Sequence, residues 1–508
     1  MFHNAMLKAL VIIASAAAMP VAATSAAPLR TAVIEGSTVF APPQLFAAYR
    51  DALGQPLTID GARAISAAIA ELYVGGGYVR PEVRTDTARA ADGILVVKIY
   101  EPHLARLTID GTPGRHRERL EAMAAPLLRA HPLRRDAIPQ ALAEMRRLPG
   151  LSVTPTTRRG TAPAAYELVL TADYSPVSGA VHVNNRGTDQ IGPHFVLGQV
   201  AANDFLGRGE KFGFVFSSAA DTGEYLGAGL FVDAPLGGGG TRGLAMLFRS
   251  ESAPNEAPVN LTDEYARERM TLKLTRPVRQ SAELSLVLTG ALEAEDLTVD
   301  RDGVDVRDDR LRILEAGVRA SWRAWQATQL SSTLELRKGL DALGAGLRAD
   351  DLPDDPRSLD FFLAQLQVTS FTRLNPNWTL RVDAFAQHSG DVLPDSERFK
   401  IGGERLGRGF EVAEIAGDRG IGAKAVVRRE LTGNAGAVGI TSVYALYDIA
   451  AAWKENQSGR ESAATGGVGV ALHGKRLSGY VEVVRPLTHA DIEGKRSTAV
   501  FAEVSYRF

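Results

Sequence analysis

The sequence predicts a multidomain chain: two small α+β repeats, then a sixteen-stranded antiparallel transmembrane β-barrel. Three observations carry that prediction. Residues 31–173 show a β-α-α-β-β order twice over. From Pro176 onward, helical periodicity gives way to apolar–polar alternation in segments of near-membrane length. The last of these segments runs to a terminal aromatic, Phe508.

The first element is the N-terminal segment, "MFHNAMLKALVIIASAAAMPVAATSA". Lys8 precedes an apolar core from Ala9 to Ala18, and Thr24-Ser25-Ala26 supplies a cleavage pattern. Residues 1–26 therefore read as a secretory signal peptide. The apolar core is shorter than the roughly 20 residues of a membrane helix, and no run of 18 apolar residues follows it. The mature chain is expected to be soluble outside the cytoplasm or to be a membrane barrel. A net charge of −2 without a basic block argues against a nucleic-acid partner. The absence of cysteine excludes disulfides, Cys-ligated zinc and thiol catalysis.

The two repeats follow, expected over residues 27–104 and 105–174. "AVIEGSTVF" (32–40) resembles "RLTIDGTPG" (106–114); each is a short strand closing on a Gly turn. A helical stretch comes next in both, "PPQLFAAYRDALG" and "RHRERLEAMAAPLL". A second helix follows, with Ile65, Ile69 and Leu72 in one copy and Ile138, Leu142 and Met145 in the other, at i, i+4, i+7. Both copies close on strands, "GILVVKIYE" and "AYELVLTADY". Such a unit buries one sheet face under two helices. Its sheet edge either is free to pair with an extended peptide or is capped, as in an ordinary α+β domain.

The third element, residues 175–508, is the barrel. "KFGFVFSS" puts Phe212, Phe214 and Phe216 on one face, and "TLKLTR" sets Leu272 and Leu274 against charged and hydroxyl neighbours. "WTLRVDAFAQ" sets Trp378, Leu380 and Val382 against Arg381 and Asp383. Strands are expected near 177–187, 193–205, 210–219, 224–234, 241–250, 264–276, 281–294, 310–322, 327–338, 358–371, 377–388, 420–431, 440–452, 464–473, 477–486 and 496–508. Their number is even, as a closed bacterial barrel requires. One face would meet outer-membrane lipid and the other a wet lumen. The competing soluble β-sandwich array does not account for strands of this length or for a strand ending at Phe508.

One stretch fits neither pattern: "RLGRGFEVAEIAGDRG" (405–420), between the eleventh and twelfth strands. Arg408-Gly409-Phe410 followed by Gly417-Asp418-Arg419-Gly420 resembles the signature of outer-membrane two-partner secretion transporters. These are the haemolysin secretion/activation proteins, within the wider superfamily that includes BamA. The resemblance covers nearly the whole mature chain. It implies two periplasmic POTRA repeats, a sixteen-stranded barrel and a partner exoprotein secreted through it. It also implies that the loop folds back into the lumen, where its arginine pairs with an aspartate on a wall strand. "LYDIA" supplies that aspartate: Tyr447 and Ile449 share the outward face, so Asp448 points inward toward Arg408. A guanidinium–carboxylate fork is the expected contact; a solvated loop arginine is the bland alternative. Tyr506 and Phe508 are expected to form the C-terminal signal offered to the barrel assembly machinery during biogenesis.

Three departures from the family pattern stand out. Gly407 occupies a position that is usually β-branched, and Ala450 stands where the wall motif usually ends in glycine. Few residues separate Ala26 from the first strand, so a pore-plugging N-terminal helix is not expected, and gating should rest on the loop. No catalytic, metal-ligand or phosphate-loop pattern is present. "DRDGVDVRDD" (300–309) lacks the spacing and closing Glu of a calcium loop and reads as an acidic surface loop. Neither an enzyme nor a cofactor is expected. The functional expectation is a secretion pore for an unfolded partner exoprotein. The rivals are an outer-membrane assembly factor or insertase, which would need a weak seam between strands one and sixteen, a passive porin, and a structural or adhesive surface barrel.

Overall fold

The computed structural model describes residues 27–188, 190–254, 263–281, 283–350, 354–431, 440–488 and 497–508. The expected signal peptide, residues 1–26, lies outside the described residues. The chain divides into two compact units. One holds the first repeat up to Leu107, with Pro126–Arg135 and Thr157–Leu168. The other holds Thr108–Ala125, Asp136–Thr156 and Val169–Phe508.

In the first repeat, β1 (Thr31–Glu35), α1 (Pro42–Phe46), α2 (Ile59–Gly75), β2 (Glu82–Asp86) and β3 (Ile94–Tyr100) follow the β-α-α-β-β order. The sheet order is β1-β3-β2, with β1 parallel and β2 antiparallel to β3. The expected first helix is shorter than its sequence pattern: α1 is five residues, followed by a 3₁₀ turn at Arg50–Ala52. Thr58 caps α2 by accepting from the Gly61 N–H at 3.0 Å. Ile65, Ile69 and Tyr73 of α2 are buried against Leu95, Val97 and Ile99 of β3. A buried carboxylate closes this core. Glu101 accepts from the Thr38 N–H (2.8 Å), the Thr38 hydroxyl (2.5 Å) and the Tyr73 hydroxyl (2.6 Å). Desolvation, reinforced by this carboxylate, raises the Tyr73 phenol well above its ordinary pKa, so it remains a donor.

The second repeat keeps the order: β4 (His103–Asp110), α3 (Arg117–Arg129), α4 (Ala137–Met145), β5 (Leu151–Arg159) and β6 (Ala165–Tyr174), with sheet order β4-β6-β5. Leu142 and Met145 of α4 are buried.

The remaining strands are β7 (Val177–Asn184), β8 (Phe195–Asn203), β9 (Lys211–Ala219), β10 (Tyr225–Pro235), β11 (Arg242–Ser252), β12 (Asp263–Gln280), β13 (Leu284–Arg301), β14 (Val304–Trp325), β15 (Thr328–Gly339), β16 (Gly346–Ala349), β17 (Phe362–Asn375), β18 (Trp378–Ser389), β19 (Phe399–Ile401), β20 (Ile415–Gly417), β21 (Arg419–Glu430), β22 (Ile440–Trp453), β23 (Glu461–His473), β24 (Leu477–Pro486) and β25 (Ala499–Arg507). They form a closed antiparallel barrel of sixteen full strands, sealed where β25 pairs with β7. β16 is a short addition beside β14, while β19 and β20 pair only with each other. The alternation lands as expected: Phe212, Phe214, Leu272, Leu274 and Trp378 are exposed on the outer face. So are Val500, Val504, Tyr506 and Phe508.

Two expectations give way here. The acidic loop at 300–309 is part of a β-hairpin: β13 runs to Arg301, Asp302-Gly303 makes the turn and β14 starts at Val304. Both turn residues have positive φ (52° and 85°), the two-residue geometry that Asp-Gly favours. The 22 residues of β14 span roughly 70 Å at 3.3 Å per residue, well beyond a hydrocarbon core of about 30 Å. Dense charge disguised this strand as a loop. In fact several of these charges are paired with side chains outside the stretch, as in Arg301–Asp263 (2.7 Å) and Asp309–Arg357 (2.6 Å), while Leu297, Val299, Leu311 and Ile313 are buried. The second is the 405–420 stretch, whose Ile415–Gly417 forms β20 and pairs with β19.

Within the larger unit, the 3₁₀ turn Gly114–His116 meets the β8–β9 turn. His116 and Asp204 are both buried, with Nε2 and Oδ2 at 3.4 Å. Arg115 donates to the Asp204 and Phe205 carbonyls at 3.0 and 3.2 Å. Burial lowers the His116 pKa; Arg119 and Arg115 push the same way and Asp204 offsets part of it. A folded-state value below the ordinary 6.5 means that this joint is at full strength above that pH and weakens as pH falls through the folded value. Amide protection factors at residues 114–125 and 204–210, which divide out the intrinsic pH dependence of exchange, are therefore expected to be lower at pH 5.5 than at pH 7.5. In His116→Phe the difference should shrink.

Candidate functional site

The site is built by the connection between β18 and β21, residues 390–418, which lies against the inner wall. Its apolar anchor comes first. Phe399, Ile401, Leu406, Phe410 and Ile415 of the connection pack on Phe385, Ala450, Ala452 and Ala463 of the wall. Burying a side chain such as Phe410 is worth roughly 1.5–3 kcal/mol. The wall makes room by being small. A Cβ on Gly420 would lie 2.0 Å from the Phe399 ring, and one on Gly422 would lie 2.6 Å from Leu406. Ala450 faces Gly422 across the ladder and belongs to the same groove. This groove of small residues on β21–β23 was not evident from the motif alone.

The polar seat sits at the tip. Asp448 is fully buried and accepts from the Gly407 N–H at 2.9 Å and the Arg408 N–H at 3.4 Å. Thr465 accepts from the Gly409 N–H at 3.2 Å. The Arg408 guanidinium does not fork onto Asp448. It donates through Nη1 to Glu482 on β24 at 2.7 Å and through Nε to the Glu404 carbonyl at 3.2 Å. The reason is geometric: the backbone amides of the tip occupy both Asp448 oxygens, and the longer side chain carries on to the next inward carboxylate. Glu482 is buried and also accepts from the Tyr444 hydroxyl (2.9 Å) and from Arg186. Its inward phase was legible in "YVEVV", since Val481 and Val483 are exposed on the outer face. Nothing in the 405–420 motif pointed to it.

The other expected residues take distinct places. Gly407 has φ +74°, so a β-branched residue there would be strained. A Cβ on Gly409 would lie 2.8 Å from the Pro486 nitrogen, and one on Gly417 would lie 2.6 Å from the Trp453 carbonyl. The fully buried Asp418 accepts from the Leu393 and Glu455 N–H groups, each at 2.8 Å, and so ties the stem of the connection to the wall. Tyr447 is exposed on the outer face. Tyr506 and Phe508 stack with ring centroids 6.2 Å apart.

A second set of ion pairs holds the other arm. Glu397 pairs with Arg337 at 2.8 Å, and Arg337 also reaches Glu315 (2.8 Å) and Glu293 (2.7 Å). Asp395 pairs with Arg307 at 2.9 Å. Beneath the tip lies a cavity of about 630 Å³ lined by both signs of charge, among them Arg381, Asp383, Glu404, Lys424 and Arg428. It is polar enough to hold water and carries no bias toward one sign. Among the described residues, no group of three or more His, Cys, Asp and Glu side chains is arranged to hold a metal ion.

A closed sixteen-stranded antiparallel barrel with a connection folded against its inner wall, after two α+β repeats in the chain, is the architecture of an outer-membrane β-barrel protein. Residues 168–472 match the model of the haemolysin secretion/activation protein ShlB/FhaC/HecB family. That is more than half of the 508 residues, and the chain belongs to this family. It is a family of transporters. The chain is 24% identical over 436 residues to the outer membrane transporter CdiB of Dickeya dadantii, covering 83% of this chain and 76% of that protein. In fold it is similar to CdiB from Escherichia coli, with a TM-score of 0.72 at 18% identity over 98% of this chain and 93% of that one. It is also similar to CdiB from Acinetobacter baumannii (0.61, 14%, 96% of this chain and 90% of that one). A BamA structure from Haemophilus ducreyi has a TM-score of 0.54 at 11% identity, over 95% of this chain and 100% of that one.

Two thermodynamic cycles test the seat. Arg408→Ala with Glu482→Ala is expected to be non-additive, with a coupling of roughly 0.5–3 kcal/mol. Arg408→Ala with Asp448→Ala should be much closer to additive, because their side chains act on different groups. The closed-to-open ratio of single channels in planar bilayers supplies the free energies. Gly407→Val should raise the open fraction by itself.

Proposed function

We propose that the protein exports an unfolded partner exoprotein, a long β-rich protein of the haemolysin or adhesin type, across the outer membrane. The observation that carries this reading is the connection seated inside a closed barrel by separable contacts: one carboxylate under two amides, one guanidinium on Glu482, and a shallow groove of small residues. A solute pore has no need of such a seat. The exoprotein pairs as an extended strand with a repeat edge in the periplasm. Support comes from β2, which pairs only with β3 among the described residues. The connection then leaves its seat and the chain threads outward, biased by folding on the far side. We assign residues 27–104 and 105–174 to the two repeats, 175–508 to the barrel, Arg408 with Asp448 to the seat, and Phe508 with Tyr506 to recognition by the assembly machinery.

The rival reading, an assembly factor or insertase, draws on one observation. The β25–β7 seam has five pairs in register, against eight between β7 and β8.

Deleting residues 31–104 tests the export reading. Secretion of the exoprotein should fall to background, while the barrel stays heat-modifiable on gels, because its hydrogen-bond ladder is complete without the repeat. Secretion at the wild-type level from the deleted protein refutes the role of the first repeat. Loss of other outer-membrane proteins in its place supports the insertase.

A further inference from the structure

The seam is constructed unlike the rest of the barrel. From Glu503↔Asn184 to Arg507↔Ala180 it is an ordinary ladder, and Gly179 and Phe508 extend it by a reciprocal pair of backbone hydrogen bonds at 3.0 and 3.1 Å. A Cβ on Gly179 would lie 2.4 Å from the Phe508 ring, so the glycine makes room for the terminal aromatic. Past Asn184 the backbone supplies one more bond, from the Asn185 N–H to the Ala502 carbonyl at 3.3 Å, and a side chain supplies the rest. The Asn185 Oδ1 accepts from the Ala502 N–H at 2.7 Å, and its Nδ2 donates to the Val500 carbonyl at 2.9 Å. Its amide stands in for a peptide group, donor and acceptor together.

Arg186 comes next and turns inward. Its side chain is only 10% exposed. The guanidinium lies over the Phe501 ring of β25 at 4.5 Å. It donates to the Tyr480 hydroxyl at 2.6 Å and to Glu482, both on β24. One side chain from the end of β7 thereby spans β25 and reaches β24. The carboxylate it reaches is the same one that seats Arg408.

We propose that Arg186 is the clasp of the barrel seam, and that it shares Glu482 with the lumen connection so that the seam stays shut while the connection is released. The inference rests on reading that connection as a removable plug. When Arg408 leaves, Glu482 remains paired with Arg186 and is not stranded as a lone buried charge, a state that carries a large desolvation penalty. Release of the plug and closure of the seam become compatible. A translocating chain is kept in the lumen and out of the lipid, the distinction between exporting a protein and inserting one. Arg186 is a positioning residue on this account, acting through Glu482 and the seam.

The test uses the purified full-length protein, which has no cysteine of its own. Val183 and Val504 face each other across the seam at the roughly 5.5 Å Cα spacing of such pairs, within reach of a disulfide. Arg186→Gln is expected to lower the temperature at which the barrel unfolds on gels. Oxidising Val183→Cys with Val504→Cys in that background should restore it, and Arg186→Lys should restore part of it. A purely structural role predicts the same, so channel recordings discriminate. Arg186→Gln alone should reduce the open fraction, because Arg408 becomes the only guanidinium on Glu482. Adding Arg408→Ala to Arg186→Gln should then raise the open fraction about fivefold more than Arg408→Ala does in the parent, the lower end of usual coupling between sites. An equal effect of Arg408→Ala in both backgrounds overturns the shared carboxylate, and an unchanged unfolding temperature in Arg186→Gln overturns the clasp. Neither measurement requires the exoprotein, so the clasp can stand or fall independently of the export assay.

Discussion

A peptide group in hydrocarbon has no water to bond, so a sheet in the membrane must satisfy every N–H and C=O within itself. That constraint shapes the larger unit. It forces the sheet to close, and it turns alternation into a sorting of residues between lipid and lumen; because the closing β25–β7 pair is antiparallel like the rest, the strand count is even. The residues sent inward can be charged only because the interior is wet and because they meet one another: Arg337 with three glutamates, Arg307 with Asp395, Arg408 with Glu482. The closing step is the least repetitive part. At the β25–β7 seam the backbone ladder is short, and Asn185, Arg186 and Phe508 complete it.

The connection between β18 and β21 uses the same interior differently. It is held by an apolar groove and by a few polar contacts spread over several wall residues. Asp448 and Thr465 grip backbone amides, Glu482 grips a side chain and Asp418 grips the stem. A segment held in this way can be precise in place and still separable, because no single contact carries all of its binding. The polar cavity beneath it, mixed in sign, suits passage of a chain of varied composition better than a site for one ligand. Membership of the ShlB/FhaC/HecB family and the CdiB-like fold agree with an interior organised around transit.

The repeats answer to ordinary soluble-protein rules. Two helices cover one face of a three-stranded sheet, and the polar group left inside, Glu101, has three donors. The second repeat is tied to the β8–β9 turn by Arg115, which donates to two carbonyls, with the buried His116 packed close to Asp204 beside it. Electrostatics here is local and pH-sensitive, unlike the permanently charged arginine clusters of the barrel interior.

The sequence by itself determined the architecture: the repeat order, the sixteen spanning strands, the outward face of several of them, the inward phase of Asp448 and the odd character of residues 405–420. Those follow from period and from residue type, which are local properties of a chain. The tertiary structure alone decided which partners meet. Arg408 was readable as an inward cation, but its carboxylate proved to be Glu482, 74 residues away, because the Gly407 and Arg408 amides already hold Asp448. The Asp300–Asp309 charges suggested a loop until their distant partners, Asp263 for Arg301, Arg357 for Asp309 and Asp395 for Arg307, were in place. Arg186 carried no signal whatever, since its role depends on the last strands returning to lie beside the first. Spacing along a chain specifies the face a side chain takes, while closure of the barrel specifies what stands opposite it.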